Sequence, residues 1–312
     1  PDRITDFALG AADQEAPVVY FGHGYRILKP SAFRVGFGGH SLATSHVGFD
    51  FSSGLSVLQA YDVPPDFLDV DPAARRYALH TRGSGMLTLV AAETGAMDCA
   101  LRYRPLYDKK PAAGVEKLAG RFCFDIWGGR YGDVADQMEK MIRYGLTDSF
   151  LTKHVWQRWG YDYRLPDIWP PDPSLGTLED MKRMGQVCRD AGVLWGLHDN
   201  YIDFYPDAAE YTYDDLCFTE DGKPIRAWLN EGREAQSYRW RPDRIMPFVQ
   251  RNLKLVRDNV APTHYFLDVF TSTGCWDYYD REGKFHPNTE TRQKFGEAFA
   301  YIRDALGDNA PT

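Results

Sequence analysis

Four apolar runs in the second part of the chain end in polar or ionisable residues. The run HYFLDVF (264–270) is built of Tyr265, Phe266, Leu267, Val269 and Phe270, yet carries Asp268 near its end. A carboxylate in such company must be paired or must face a pocket. RFCFDIW (121–127) brings Asp125 and Trp127, LTKHVW (151–156) brings Lys153, His154 and Trp156, and GLHDNYIDFYPD (196–207) brings His198, Asp199, Asn200, Tyr201 and Asp203. Carboxylates, imidazoles and aromatic rings together suit glycoside hydrolysis. That reaction needs one carboxyl group as acid/base and a second as nucleophile or base. A nucleophile must be ionised, rigid and aimed into the pocket, and Asp268 at the end of an inflexible strand meets those demands. His198 and Asp199 suit recognition of sugar hydroxyls. Tyr238 and Trp240 alternate with Arg239 and Arg241, so in extended chain their rings share one side and offer a stacking platform. Asp125, His154, Trp156, Asn200 and Tyr201 complete the expected sugar-binding set. Glu231, Glu234, Asp199 and Asp277 are the candidates for a second carboxylate, although none ends a strand as Asp268 does.

These residues must be held by a scaffold, and the pattern of the chain predicts two kinds. Up to residue 112 the sequence alternates short β-runs with Gly, Pro and Asp: 16–22, 32–38, 54–63, 75–81 and 85–92. No helical periodicity of useful length intrudes, which predicts an antiparallel β-sandwich domain over 1–112. YDKKPAAG (107–114) has the composition of a linker. From residue 118 the order becomes strand, loop, helix, four times over. Strands are expected at 121–127, 148–156, 193–199 and 263–270. Helices are expected at 131–145, after Thr177 with Asp180 at capping-box spacing, from 241–243 to about 259, and over 289–306. Long polar loops follow the strands and short ones follow the helices, as in a (β/α)8 TIM-type barrel that builds its site on the C-terminal strand ends. Four units are half a barrel, so 118–312 reads as a partial barrel truncated at its C-terminus, with 308–312 entering a fifth strand.

Composition narrows the function classes. The chain of 312 residues is 44% hydrophobic and 26% charged with a formal net charge of −8. It has no basic stripe for nucleic acid and no apolar run of about 18 residues for a transmembrane helix. Its five cysteines are widely spaced and lack C-x-x-C, which argues against a disulfide framework or a structural zinc site. That usage fits cytosol and bacterial periplasm alike; a periplasmic or secreted place is favoured over a cytoplasmic one. The chain opens at Pro1 with neither an initiator Met nor a signal-like segment, and is read as processed or as part of something longer. Aromatic residues make up 14% of it, which suits a carbohydrate partner.

GLHDNYIDFYPDA, YRWRPD and YFLDVF, set behind a β-sandwich, resemble the endo-α-N-acetylgalactosaminidase family of retaining glycoside hydrolases and related uncharacterised bacterial glycosidase-like proteins. The resemblance covers roughly residues 120 to 312. It implies a His-Asp pair after the third strand that holds the terminal sugar (His198 and Asp199) and an Asp nucleophile ending the fourth strand (Asp268). It also implies two pocket-lining rings at Tyr238 and Trp240, where the family has paired tryptophans. The family's acid/base is a Glu on the following strand, which here would begin near Thr312, so a further segment or chain is expected to complete the barrel. No cofactor or metal is expected. Two rival readings are a non-catalytic carbohydrate-binding or degenerate glycosidase module, and a metal-dependent barrel hydrolase using His154, His198 and Asp268.

Overall fold

The computed structural model describes residues 6–9, 15–38, 41–81, 85–107, 111–112 and 114–312. Residues 108–110 and 113 of the expected linker therefore lie outside the described residues. The chain divides into two compact units. One comprises Pro1–Lys110, Thr271–Trp276 and Pro287–Thr289; the other comprises Pro111–Phe270, Asp277–His286 and Glu290–Thr312.

The first unit carries β1 (Asp6–Leu9), β2 (Val18–Phe21), β3 (Tyr25–Leu28), β4 (Phe33–Gly36), β5 (His46–Asp50), β6 (Ser56–Tyr61), β7 (Phe67–Asp71), β8 (Arg76–His80) and β9 (Leu87–Ala92). They form two antiparallel sheets, β3-β2-β5-β6-β9 and β1-β8-β7-β4. One core joins them: Val19, Phe21, Val47 and Phe49 from the first pack with Leu68, Val70, Tyr77 and Leu79 from the second. A helix that the sequence pattern does not announce, α1 (Ala96–Tyr103), follows β9. It buries Cys99 and Tyr103 against Leu58, Ala60 and Ala92. Two turns are too short for a clear period. The helix also starts behind Gly95 without a side-chain cap and exposes Met97 and Leu101, which blurs its apolar face.

The second unit is built from β10 (Phe122–Ile126), α2 (Tyr131–Arg143), β11 (Ser149–Lys153), α3 (Leu178–Asp190) and β12 (Leu194–Asp199). After them come the short strands β13 (Asp203–Phe204), β14 (Arg226–Asn230) and β15 (Ala235–Arg239), then α4 (Met246–Val260) and β16 (His264–Leu267). The hairpin β17 (Tyr278–Tyr279) and β18 (Phe285–His286) precedes α5 (Asn288–Leu306). Strands β10, β11, β12 and β16 form a parallel sheet in chain order. Helix α3 opens with the reciprocal Thr177–Asp180 capping box that the spacing predicts. Helices α2 and α3 pack together, as do α3 and α4. The face of the sheet beneath α3 is apolar, with Leu151, Trp195, Leu197 and Tyr265 buried. The approach of helix to sheet depends on Gly185, where a Cβ would come within 2.5 Å of the Trp195 indole. The polar stretch 231–244 supplies β15, the middle strand of a small antiparallel sheet, β13-β15-β14. After α5 the chain returns beside β16, where the Tyr265 N–H donates to the Pro311 carbonyl at 3.1 Å. Among the described residues, no helix is long and apolar enough to cross a membrane.

One contact spans three strands of the parallel sheet. His264 of β16 hydrogen-bonds through Nε2 to the Leu151 carbonyl of β11 at 2.9 Å, and its ring passes over Gly196 of β12. A Cβ on Gly196 would lie 2.4 Å from the His264 carbonyl oxygen and 2.6 Å from its ring. Gly196→Ala is therefore expected to destabilise the protein by about 1–3 kcal/mol, the usual toll of overpacking. An unchanged thermal midpoint would contradict the crossing. Burial also pushes the His264 imidazole down to about 4, from 6.5 in an unfolded chain. The unfolded chain then binds more protons between these values, so stability should fall as pH drops from about 6.5 to about 4. Urea denaturation at both ends of that window should give a shallower loss for His264→Gln than for the parent; parallel slopes would refute it.

Candidate functional site

The side chains of a parallel strand alternate between the two faces of the sheet. On the face opposite Trp195, the register sets Asp125 beside Thr152 and His198 beside Phe266. A row of four rings results, one from each strand end. Trp127 stacks on His154 at 4.2 Å and 4°, His154 meets His198 at 5.0 Å, and His198 lies over Phe266 at 5.8 Å. Asp125 stands at one end of the row, accepting from Trp127 Nε1 at 2.7 Å and lying 2.6 Å from His154 Nε2. Asp268 stands at the other, one residue beyond β16, with its side chain 25% exposed. Its Oδ2 is 3.3 Å from His198 Nε2 and accepts from the Tyr161 hydroxyl at 3.1 Å, while Oδ1 accepts from the Val269 N–H at 2.9 Å. Burial pushes this carboxyl up. The hydrogen bond and charge of His198, with Tyr161 and Val269, outweigh that and hold it below the usual carboxylate range.

His198 has no exposed surface and has a second carboxylate behind it: Asp162 Oδ1 is 3.7 Å from its Nδ1. Burial lowers the imidazole's affinity for protons, but Asp162 and then Asp268 reverse this and raise it. Asp162 is itself buried and lies in the loop after β11, at a left-handed φ of 41°. Asn200 Nδ2 bridges Asp162 Oδ2 at 2.9 Å and Asp203 Oδ2 at 2.6 Å. Val155 and Val269, just past two strand ends, also have left-handed φ values of 49° and 58°. For β-branched residues these are strained conformations, which tend to gather at working sites.

Several residues expected to touch sugar are committed elsewhere. Asp199 alternates with His198 and so points to the other face. It is fully buried, and Oδ2 accepts from the Tyr201 and Tyr265 hydroxyls at 2.6 and 2.9 Å. The pairing of His198 with Asp199 around one sugar is corrected on that ground, and Asp199 as a second carboxylate with it. Tyr201 is the buried partner of Asp199, and Asn200 the buried bridge between two aspartates. Trp156 is buried, donating Nε1 to the His198 carbonyl at 2.7 Å. Trp240 is core as well, stacked on Phe204 at 4.2 Å, so it forms no platform with the half-buried Tyr238. Glu231 and Glu234 are exposed in the turn before β15, and Asp277 is half-buried. The exposed indoles near Asp268 are instead Trp127 and Trp228, with the Tyr161 ring between them at 5.2 and 5.9 Å. Tyr161 and Asp162 escaped the sequence reading. Their only signal was the length and aromatic content of the loop after the second strand.

Among the described residues, those close enough together to hold a metal ion are Asp162, His198 and Asp268, rather than a set with His154. The two imidazole nitrogens of His198 nevertheless have different nearest carboxylates, Nδ1 at 3.7 Å from Asp162 and Nε2 at 3.3 Å from Asp268. The arrangement fits a cation bridging two anions better than a metal centre.

No family model matches the chain, and no curated protein matches it. Solved structures do. Ligand-free α-N-acetylgalactosaminidase NagBb from Bifidobacterium bifidum has a TM-score of 0.79 at 17% identity, covering 98% of this chain and 61% of that one. The same enzyme with GalNAc gives 0.77 at 18% over 97% and 59%. The α-galactosidase TtGalA from Thermus thermophilus with stachyose gives 0.65 at 15% over 98% and 67%. The fold is glycoside-hydrolase-like. The chain spans about six tenths of the length of the Bifidobacterium enzyme.

Beneath the ring row lies Lys153, a fully buried cation. Its Nζ donates to the carbonyls of Gly128 at 2.9 Å and His154 at 2.8 Å and lies 3.4 Å from that of Val155, tying the loop after β10 to the end of β11. Burial pushes this ammonium down to about 8. Lys153→Met should leave the buried His154 carbonyl without this donor, with the part-buried Gly128 carbonyl beside it, and cost about 1–3 kcal/mol in urea denaturation. A loss under about 0.5 kcal/mol would remove Lys153 from this role.

Proposed function

We propose that the protein is a retaining glycoside hydrolase acting on α-linked galactose- or N-acetylgalactosamine-like sugars, with Asp268 as its nucleophile. The observation that carries this reading is the state of Asp268: partly exposed, oriented by three donors and held ionised. A nucleophilic carboxylate needs those properties together. The four parallel strands in chain order, the side-by-side helices and the return of the chain beside β16 support the first half of a (β/α)8 barrel. The resemblance of the strand-end motifs supports kinship with endo-α-N-acetylgalactosaminidases. The names of the structural neighbours, one with GalNAc and one with stachyose, support the sugar class.

In this reading Asp268 attacks the anomeric carbon and the glycosidic oxygen departs with a proton from a second carboxyl group. Water activated by that same group then releases the sugar. In the family that the motifs resemble, the second group is a Glu on the strand after the one that bears the nucleophile. The open faces of Trp127 and Trp228 take the apolar face of the sugar ring, and Asp125 with His154 binds its hydroxyls. Asp268→Asn in the complete protein should lower kcat on an activated aryl α-glycoside by at least about a thousandfold while the protein stays folded. Turnover within tenfold of the parent would sink the assignment.

A further inference from the structure

His198 is a buried imidazole with an acid at each ring nitrogen, and the acid on its inner side has no part in the proposed displacement. Asp162 lies on the loop after β11 and is 2% exposed. Its N–H donates to Gln157 Oε1 at 3.2 Å and its Oδ2 accepts from Asn200 Nδ2 at 2.9 Å. Among the described residues its Oδ1 has no hydrogen-bond partner, and neither has His198 Nδ1; the two atoms face one another at 3.7 Å. A neutral imidazole has one donor and one acceptor nitrogen, so with carboxylates on both sides it would turn a lone pair toward one of them. An imidazolium meets both as a donor. The other groups facing this ring are His154 of β11, Tyr161 of the same loop and Phe266 of β16; Asp199, next along β12, points away. Of these, only His154 could bring a competing positive charge, and burial together with His198 lowers its affinity for protons.

We propose that Asp162 is a positioning residue that keeps His198 doubly protonated, so that His198 presents a fixed, charged N–H to Asp268. The inference rests on the reading of Asp268 as the working carboxylate, but its first test needs no turnover. Asp162→Asn keeps the shape and the bond from Asn200 while removing the charge. With ¹⁵N-histidine labelling of the full chain, and His198→Gln to assign the signal, the parent should show both His198 ring nitrogens protonated at pH 7. Asp162→Asn should show one. A merely structural Asp162 would leave the charge on the ring unchanged. In the complete protein, the acid limb of kcat/KM should move up by about one pH unit in Asp162→Asn, because Asp268 loses the cation that favours its ionised form. A neutral His198 in the parent overturns the proposal, even if the variant fails to fold. So does an imidazolium that survives in the variant, or a stoichiometric metal ion that the variant loses. A charged parent and a neutral variant support the pairing whether or not sugar is cleaved, so failure here is distinguishable from failure of the glycosidase reading.

Discussion

A parallel strand cannot send neighbouring residues to the same side, and at the end of β12 that constraint sorts the whole site. His198 goes to the open face, where it joins the ring row and Asp268. Asp199 goes to the helix side, where two tyrosine hydroxyls take one of its oxygens and the Asn200 N–H takes the other. The two acids flanking β12 therefore do opposite work. Asp199 is raised by burial and anchored as part of the floor, whereas Asp268 is lowered by donors and left partly open. One strand end thus separates a fully buried, anchored carboxylate from a partly open, ionised one.

Polar groups stand around and beneath the row, and several of them hold the loops that carry it. Lys153 gathers backbone carbonyls of two loops. Asn200 holds Asp162 to Asp203, and Asp203 in turn accepts from the Ser237 hydroxyl at 2.5 Å and the Trp228 N–H at 3.0 Å. The backbone that carries the exposed indole of Trp228 is therefore linked through Asp203 and Asn200 to Asp162, which stands behind His198. Such a chain fixes side chains that would otherwise sample several rotamers, which a site demanding sub-ångström placement requires.

Much of this was legible in the sequence. The four strand–helix units, the Thr177 capping box and the exposed end position of Asp268 follow from periodicity and capping chemistry, which are local. The same locality explains the errors. Trp240, set between two arginines, looks alike whether it lines a pocket or stacks on Phe204, because the partner lies 36 positions away in sequence. Asp199 was paired with His198 because they are adjacent, although adjacency along a strand is what separates them. Tyr161 and Asp162 reach His198 from a loop with no period at all, and only the folded chain brings them within contact of it. Helix α1 was missed for the same kind of reason: two turns carry too few apolar positions to declare a face.

A buried acid–base–acid set is a poor way to stabilise a fold. Desolvating three ionisable groups costs several kcal/mol each, and the mutual attraction of such groups rarely does more than offset this, so an apolar replacement of similar volume is often as stable. With His198 charged as proposed, the set holds a cation between two acids, of which burial pushes Asp162 up to about 7 while donors hold Asp268 low. Tyr161, Val269 and Asn200 each supply a donor to one of the carboxylates, which moderates the penalty without cancelling it. Strained backbone at Val155, Asp162 and Val269 adds to the cost in the same few residues. Stability alone therefore gives no reason for this arrangement. The reading proposed for Asp268 supplies one: a sugar's anomeric centre that becomes cationic as its bond breaks would meet its counter-charge at the one carboxylate left open to receive it.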